Sequence, residues 1–142
     1  MVQVKVKKLR DSAVIPVKAH ETDSGFDLYA ADTVTISPNE TRIIPTGLAF
    51  ALSQGYELQV RPRSGLSTNT PLKVILGTVD SGYRGEIGII AHNTERFSNF
   101  TVYKGDKIAQ AVIQKLPDIE LVEVDELDHG ERGENGFGST GV

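Results

Sequence analysis

The sequence predicts an all-β fold, a sandwich or barrel of the jelly-roll kind. Three observations predict it: short segments whose polarity alternates with period two, turn signals between them, and no sustained i, i+3, i+4, i+7 pattern. Successive side chains of a strand face opposite ways, so a period of two gives one dry face and one wet face. Many short strands joined by tight turns close into sandwiches or barrels.

Taken in order, "VQVKVK" places Val2, Val4 and Val6 on one face, and "TVTIS" is a second short β-branched run. "YELQVRPR" sets Tyr56, Leu58 and Val60 against Glu57, Gln59 and Arg61. "GLSTN" hints weakly at one helical turn. "LGTVDSGYRGEIGI", residues 76–89, has the pattern of a hairpin turning at Ser81–Gly82, with "GEIGIIA" as its returning strand. "NFTVY" and "GDKIAQAVI" follow; in the latter Ile108 and Val112 share a face with Gln110 between them. "IELVEV" is the expected last strand. "SPNE", "SQG", "DSGYRG", "YKGD" and "LPD" supply turns, and "TERFSNF" is loop-like. No repeat or linker divides the chain, although its last twelve residues, "ERGENGFGSTGV", are too glycine-rich to build a core.

Composition removes several function classes. A chain of 142 residues suits one domain. At that length about two-thirds of the unfolded surface is buried on folding. There are no cysteines, so disulfides and thiolate metal sites are absent, and a cytoplasmic setting is the simpler expectation. The opening "MVQVKVKKLRDS" has no apolar core of a secretory leader, and no apolar run is long enough to span a membrane. The net charge of −4 argues against a nucleic-acid polymer as partner, while leaving room for a small anion held by local cations. His20, His92 and His129 are scattered, without the spacing of zinc hydrolases or zinc deaminases. Neither a G-x-S-x-G elbow nor a Walker A loop occurs.

Five segments carry residue types with chemistry. In "DSGFDLYAA", Asp27 lies between Phe26 and Leu28; hard cations take such carboxylates, though an aspartate here also suits a turn. "RPRSGLS" combines Arg63 with Ser64 and Gly65, the guanidinium, hydroxyl and open backbone N–H groups that bind phosphate, or equally a solvated strand end. Asp80 follows apolar Val79; a half-dry carboxylate there has its pKa raised and can take a proton from water, while an Asx turn is the plain alternative. Tyr83 adds a flat face with a polar handle. Gln110, on an otherwise apolar strand, needs a hydrogen-bond partner. In the tail, Arg132 suits phosphate, Phe137 suits stacking on a base, and Gly138, Ser139 and Thr140 suit wrapping an anion. A loose terminus fits the same residues.

In order, "GFDLYAA", "PRSGLS", "GTVDSGYRGEIG", "GDKIAQAVI" and "RGENGFGSTG" resemble the five motifs of the homotrimeric dUTPases, over nearly the whole chain. The resemblance implies a distorted jelly roll of residues 1–130 with a flexible arm, residues 131–142, closing over the nucleotide. It implies a homotrimer with sites at subunit interfaces, hydrolysing dUTP to dUMP and pyrophosphate with Mg²⁺. Asp27 would orient the metal; Arg63, Ser64, Gly65 and Gln110 would contact phosphates. Asp80 would activate the attacking water, and Tyr83 would pack on deoxyribose and exclude a 2′-hydroxyl. The backbone of Leu76, Gly77, Thr78 and Val79 would pair with uracil. Arg132, Gly138, Ser139 and Thr140 would reach phosphate, and Phe137 would cover uracil. Two other outcomes fit a chain of this kind: a same-fold dCTP deaminase or bifunctional deaminase–dUTPase, and a dUTPase-like trimer that binds a regulatory protein partner.

Overall fold

The structure, a computed structural model, describes residues 1–139 and 141. Among the described residues, the elements in chain order are β1 (Lys5–Lys8), β2 (Phe26–Tyr29), β3 (Val34–Ile36), β4 (Thr41–Ala51), β5 (Tyr56–Pro62), α1 (Ser64–Asn69), β6 (Leu72–Ile75), β7 (Gly77–Val79), β8 (Glu86–Asn93), β9 (Phe100–Val102) and β10 (Lys107–Lys115). One four-stranded sheet has the order β1-β4-β8-β6, the other β2-β10-β5-β7, and β3 pairs with β9. Every pairing is antiparallel. The two larger sheets share one core: Ile44, Leu72 and Ile89 from the first meet Leu28, Leu58 and Ala109 from the second, all fully buried. Burial of each large aliphatic side chain contributes about 1.5–3 kcal/mol. This is the expected all-β jelly roll. No helix of the described residues is long and apolar enough to cross a membrane.

The longest strand, β4, is hidden in the sequence by its own punctuation, Pro45 and Gly47. Both are absorbed by a break in register: the β4–β8 ladder shifts between Pro45 and Ala49. Gly47 sits at φ 69°, where a side chain is strained, and a Cβ there would lie 2.9 Å from the Ala13 Cβ. Thr46 is fully buried but satisfied, its Oγ1 donating to the Ile87 carbonyl at 2.6 Å.

Four sequence expectations are corrected. Residues 76–89 are not a ladder-forming hairpin: the turn exists, with Tyr83 N donating to Asp80 O at 3.1 Å, but β7 pairs with β5 and β8 with β4 and β6, so the chain crosses between sheets there. "IELVEV" forms no strand. It has the alternation but no ladder partner within one chain, and Ile119, Leu121, Val122 and Val124 are exposed. "LPD" makes no turn; instead Leu116 N donates to Gly55 O at 2.7 Å and the chain leaves the sheet extended. Finally, the face shared by Ile108 and Val112 is split by a register shift between Lys107 and Ala109, which turns Ile108 into the core beside Ala109. "GLSTN" does form a helix, of six residues starting at Ser64.

Candidate active site

The first group of site residues is assembled by three neighbouring strands. On β10, Gln110 stands opposite Asp27 of β2 and Arg61 of β5. The Asp27 side chain is 15% exposed and faces two cations: Arg63 Nε lies 3.6 Å from Oδ1, and Lys107 Nζ 3.3 Å from Oδ2. Arg63 Nη1 also donates to the Lys107 carbonyl at 3.3 Å. Gln110 Nε2 donates to the Pro62 carbonyl at 3.0 Å. Gly25 makes this possible: a Cβ there would stand 3.0 Å from Gln110 Cβ and 3.2 Å from Cδ, with Oε1 nearer still. Ser64 and Gly65 open α1 and are exposed, with nothing within 4 Å of the place a Gly65 Cβ would take. The face around Arg63 is therefore open to an anionic ligand.

Lys107 was not visible in the sequence. Counting by twos from Gln110 sends residue 107 to the opposite face. The register shift after Lys107 undoes that count and brings its ammonium to Asp27.

The second group lies on β7 and the turn after it. β7 is the edge of its sheet, so one row of its backbone N–H and C=O groups is left without a strand partner and can take hydrogen bonds from outside the sheet. Leu76 beside it is exposed. Asp80 is exposed, not half-dry, within the single chain. Tyr83 is 48% exposed, and its hydroxyl donates to the Glu86 carbonyl at 3.0 Å. The Glu86 carboxylate accepts from Arg10 Nη2 at 3.1 Å and from Gly47 N at 2.9 Å. That hydrogen bond to Glu86 holds the Arg10 guanidinium pKa above its ordinary value; burial opposes this, and the charges of Glu86 and Asp32 add to it.

The two groups do not meet in one chain. Val60 pairs with Gly77 and Leu58 with Val79, so Asp80 lies beside Glu57, at the far end of β5 from Arg63. Six residues of strand at about 3.3 Å each separate them by about 20 Å. In the tail, Arg132, Phe137, Gly138 and Ser139 are exposed in a run of tight turns, Ser139 N donating to Gly136 O at 3.1 Å. Phe137 takes φ 50° with its ring in solvent. Thr140 lies outside the described residues.

No group of three or more His, Cys, Asp or Glu able to hold a metal exists among the described residues. Among the described residues, Asp27 is the carboxylate paired with Arg63 and Lys107. Its contacts at 3.3 and 3.6 Å are longer than close charge-assisted hydrogen bonds of about 2.7–2.9 Å, so its lone pairs are not fully used. That suits Mg²⁺ arriving with a triphosphate, since Mg²⁺ leans on one or two carboxylates, phosphates and waters rather than an all-protein cage.

Cations beside one carboxylate, with open backbone N–H groups next to them, make a face suited to a small phosphate-bearing anion on an antiparallel jelly roll. The comparisons with known proteins are specific. The dUTPase family model matches residues 11–141. The chain is 48% identical to the deoxyuridine 5′-triphosphate nucleotidohydrolase of Clostridioides difficile, over 99% of each chain. It is 46% identical to that of Helicobacter pylori strain P12, over 99% of this chain and 97% of the relative. Among solved structures, the Staphylococcus bacteriophage 80alpha dUTPase with dUPNHPP superposes with a TM-score of 0.95 at 32% identity, covering 100% of both chains. A mutant dUTPase of S. aureus phage phi11, described with a structural Mg(II) ion, gives a TM-score of 0.84 at 29% identity, over 89% of this chain and 99% of that one. The chain belongs to the dUTPase family, and its activity is the hydrolysis of dUTP.

Proposed function

We propose that dUTP is hydrolysed to dUMP and pyrophosphate in sites shared between the copies of a homotrimer, in the cytoplasm. The observation that carries this is the distance of about 20 Å that the β5–β7 register puts between Arg63 and Asp80. One chain presents the phosphate-binding cations at one end of β5 and the aspartate at the other. A neighbouring copy that brings its Asp80 to this chain's Arg63 completes the site. The apolar side chains of Leu116, Ile119, Leu121 and Leu127 are exposed, and such a stretch marks a surface that another copy covers.

Within that site Arg63, Lys107 and Arg132 bind the triphosphate and neutralise its charge, the electrostatic part of the catalysis. Ser64 and Gly65 donate to phosphate oxygens, and Gln110 orients its amide alongside them. Mg²⁺ held by Asp27 and the phosphates would supply further charge neutralisation. Asp80 takes a proton from water as the water oxygen bonds to phosphorus and the α–β bridge breaks, releasing pyrophosphate. The backbone of residues 76–79 pairs with uracil and Tyr83 packs on the deoxyribose. The arm, residues 131–142, closes with Phe137 over the base and excludes bulk water.

The test is a nucleotide panel read by pyrophosphate release, with and without Mg²⁺. dUTP should be turned over only with the metal, and UTP, dTTP and dCTP hardly at all. Equal turnover of UTP would remove the sugar assignment; no turnover of dUTP would remove the activity itself.

A further inference from the structure

We propose that Gly85 and Glu86 are positioning residues that set sugar selectivity, by holding the Tyr83 ring at one height above the turn. The inference rests on Tyr83 packing on the deoxyribose.

Gly85 is not glycine for the sake of the backbone. Its φ lies outside the left-handed region, unlike those of Gly47, Gly55 and Gly105. It is glycine for clearance. A Cβ at residue 85 would stand 2.6 Å from Tyr83 Cζ and 3.0 Å from Cε1, with Oη nearer still. Gly82, three residues earlier in the same turn, has nothing within 4 Å of the corresponding point. The phenolic end of Tyr83 therefore rests directly on the Gly85 backbone.

The other constraint comes from Glu86. Its carbonyl accepts the Tyr83 hydroxyl at 3.0 Å. That carbonyl is itself held in place, because both oxygens of the Glu86 carboxylate are engaged, one by Arg10 and one by Gly47 N. Arg10 in turn pairs with Asp32, and Leu9 N donates to Gly47 O at 2.7 Å. The acceptor of the Tyr83 hydroxyl is thus tied to three separate segments of the chain. A tyrosine side chain has two rotors. With its hydroxyl pinned and its ring seated on Gly85, neither rotor is free.

Steric selectivity against a 2′-hydroxyl depends on where the ring stands, and a misplacement of about 1 Å can cost about 10²-fold. A methyl group at residue 85 moves the ring. Displaced from the seat at which it excludes the 2′-hydroxyl, the ring leaves room for UTP and packs less closely on dUTP. The ratio of kcat/KM for dUTP over UTP then falls.

The experiment compares that ratio in the full-length protein and in Gly85→Ala, Tyr83→Ala and the double variant, with thermal unfolding and calorimetric binding of a non-hydrolysable dUTP analogue. Gly85→Ala should lower the ratio by about tenfold or more, mostly through KM, and weaken analogue binding. In the Tyr83→Ala background the same substitution should change the ratio by less than about twofold. An unchanged ratio in Gly85→Ala, or the same fold-change in both backgrounds, would overturn the proposal. Should Gly85→Ala fail to fold, Tyr83→Phe carries the test: it keeps the ring and deletes only the bond to the Glu86 carbonyl. An unaltered ratio there would be equally fatal. A wild-type protein that turned over UTP as fast as dUTP would instead remove the Tyr83–sugar contact, and with it the selectivity assignment above.

Discussion

Gln110 is fixed by two backbone neighbours. Its amide is held between the Pro62 carbonyl and the bare backbone of Gly25. A Gly25→Ala chain should push that amide aside; kcat/KM for dUTP should fall about tenfold, a scale set by one misplaced polar contact, while thermal unfolding stays within a few degrees of wild type. Steady-state kinetics beside calorimetry checks this. Asp80 behaves differently, since it is exposed and forms no ion pair among the described residues. Asp80→Asn should lose about 10²- to 10⁴-fold in kcat, the usual worth of a general base, and still bind a dUTP analogue. Loss of binding equal to the loss of rate would show that Asp80 holds the nucleotide instead of activating water. At this scale Asp27, Arg63 and Gln110 were legible from residue type and order. Lys107 was not, because a period-two count fails across a bulge, and no glycine or proline marks the one between Lys107 and Ala109.

The elements were legible where alternation was clean and unbroken. β5 was plain because Leu58 and Val60 are buried while Glu57, Gln59 and Arg61 form the opposite row, linked side chain to side chain. β4 was hidden because proline and glycine signal turns, yet here both sit in a shifted ladder. Gly47 is the residue that permits the shift. Gly47→Val should cost about 1–3 kcal/mol for its positive φ alone, with the Ala13 contact added, and thermal unfolding should report a clear drop. "IELVEV" misled in the other direction: it has a strand's pattern, but a strand also needs an edge to pair with, and pairing partners are a property of the assembled chain rather than of a segment. The tail gives a contrasting prediction. Phe137 packs on nothing in the described chain, so Phe137→Ala should leave the unfolding temperature within about 1 °C of wild type, since it removes no buried surface. It should lower turnover if the ring covers the base. A stability loss of several degrees in the nucleotide-free protein would mean that the ring is buried in the assembly.

At the scale of the whole molecule, shared sites make a prediction that no single-chain site can meet. Arg63→Ala removes the cation proposed to bind phosphate but leaves Asp80 intact; Asp80→Asn does the reverse. In the proposed trimer, either variant alone leaves all three sites defective. When the two are unfolded together at equal concentration and refolded, each interface draws its Arg63 side and its Asp80 side independently. A site is whole when an Asp80→Asn chain supplies the arginine and an Arg63→Ala chain supplies the aspartate. That occurs in about one site in four for random closed assemblies. The mixture should therefore recover about a quarter of wild-type dUTP turnover, while each variant refolded alone stays near its own low rate. Mixing the folded proteins without unfolding should recover nothing until subunits exchange. Were Arg63 and Asp80 to serve the same site from one chain, every site in the mixture would carry one defect or the other, and refolding would restore no activity. The register of β5 against β7, which sets the two residues about 20 Å apart, forecasts recovery.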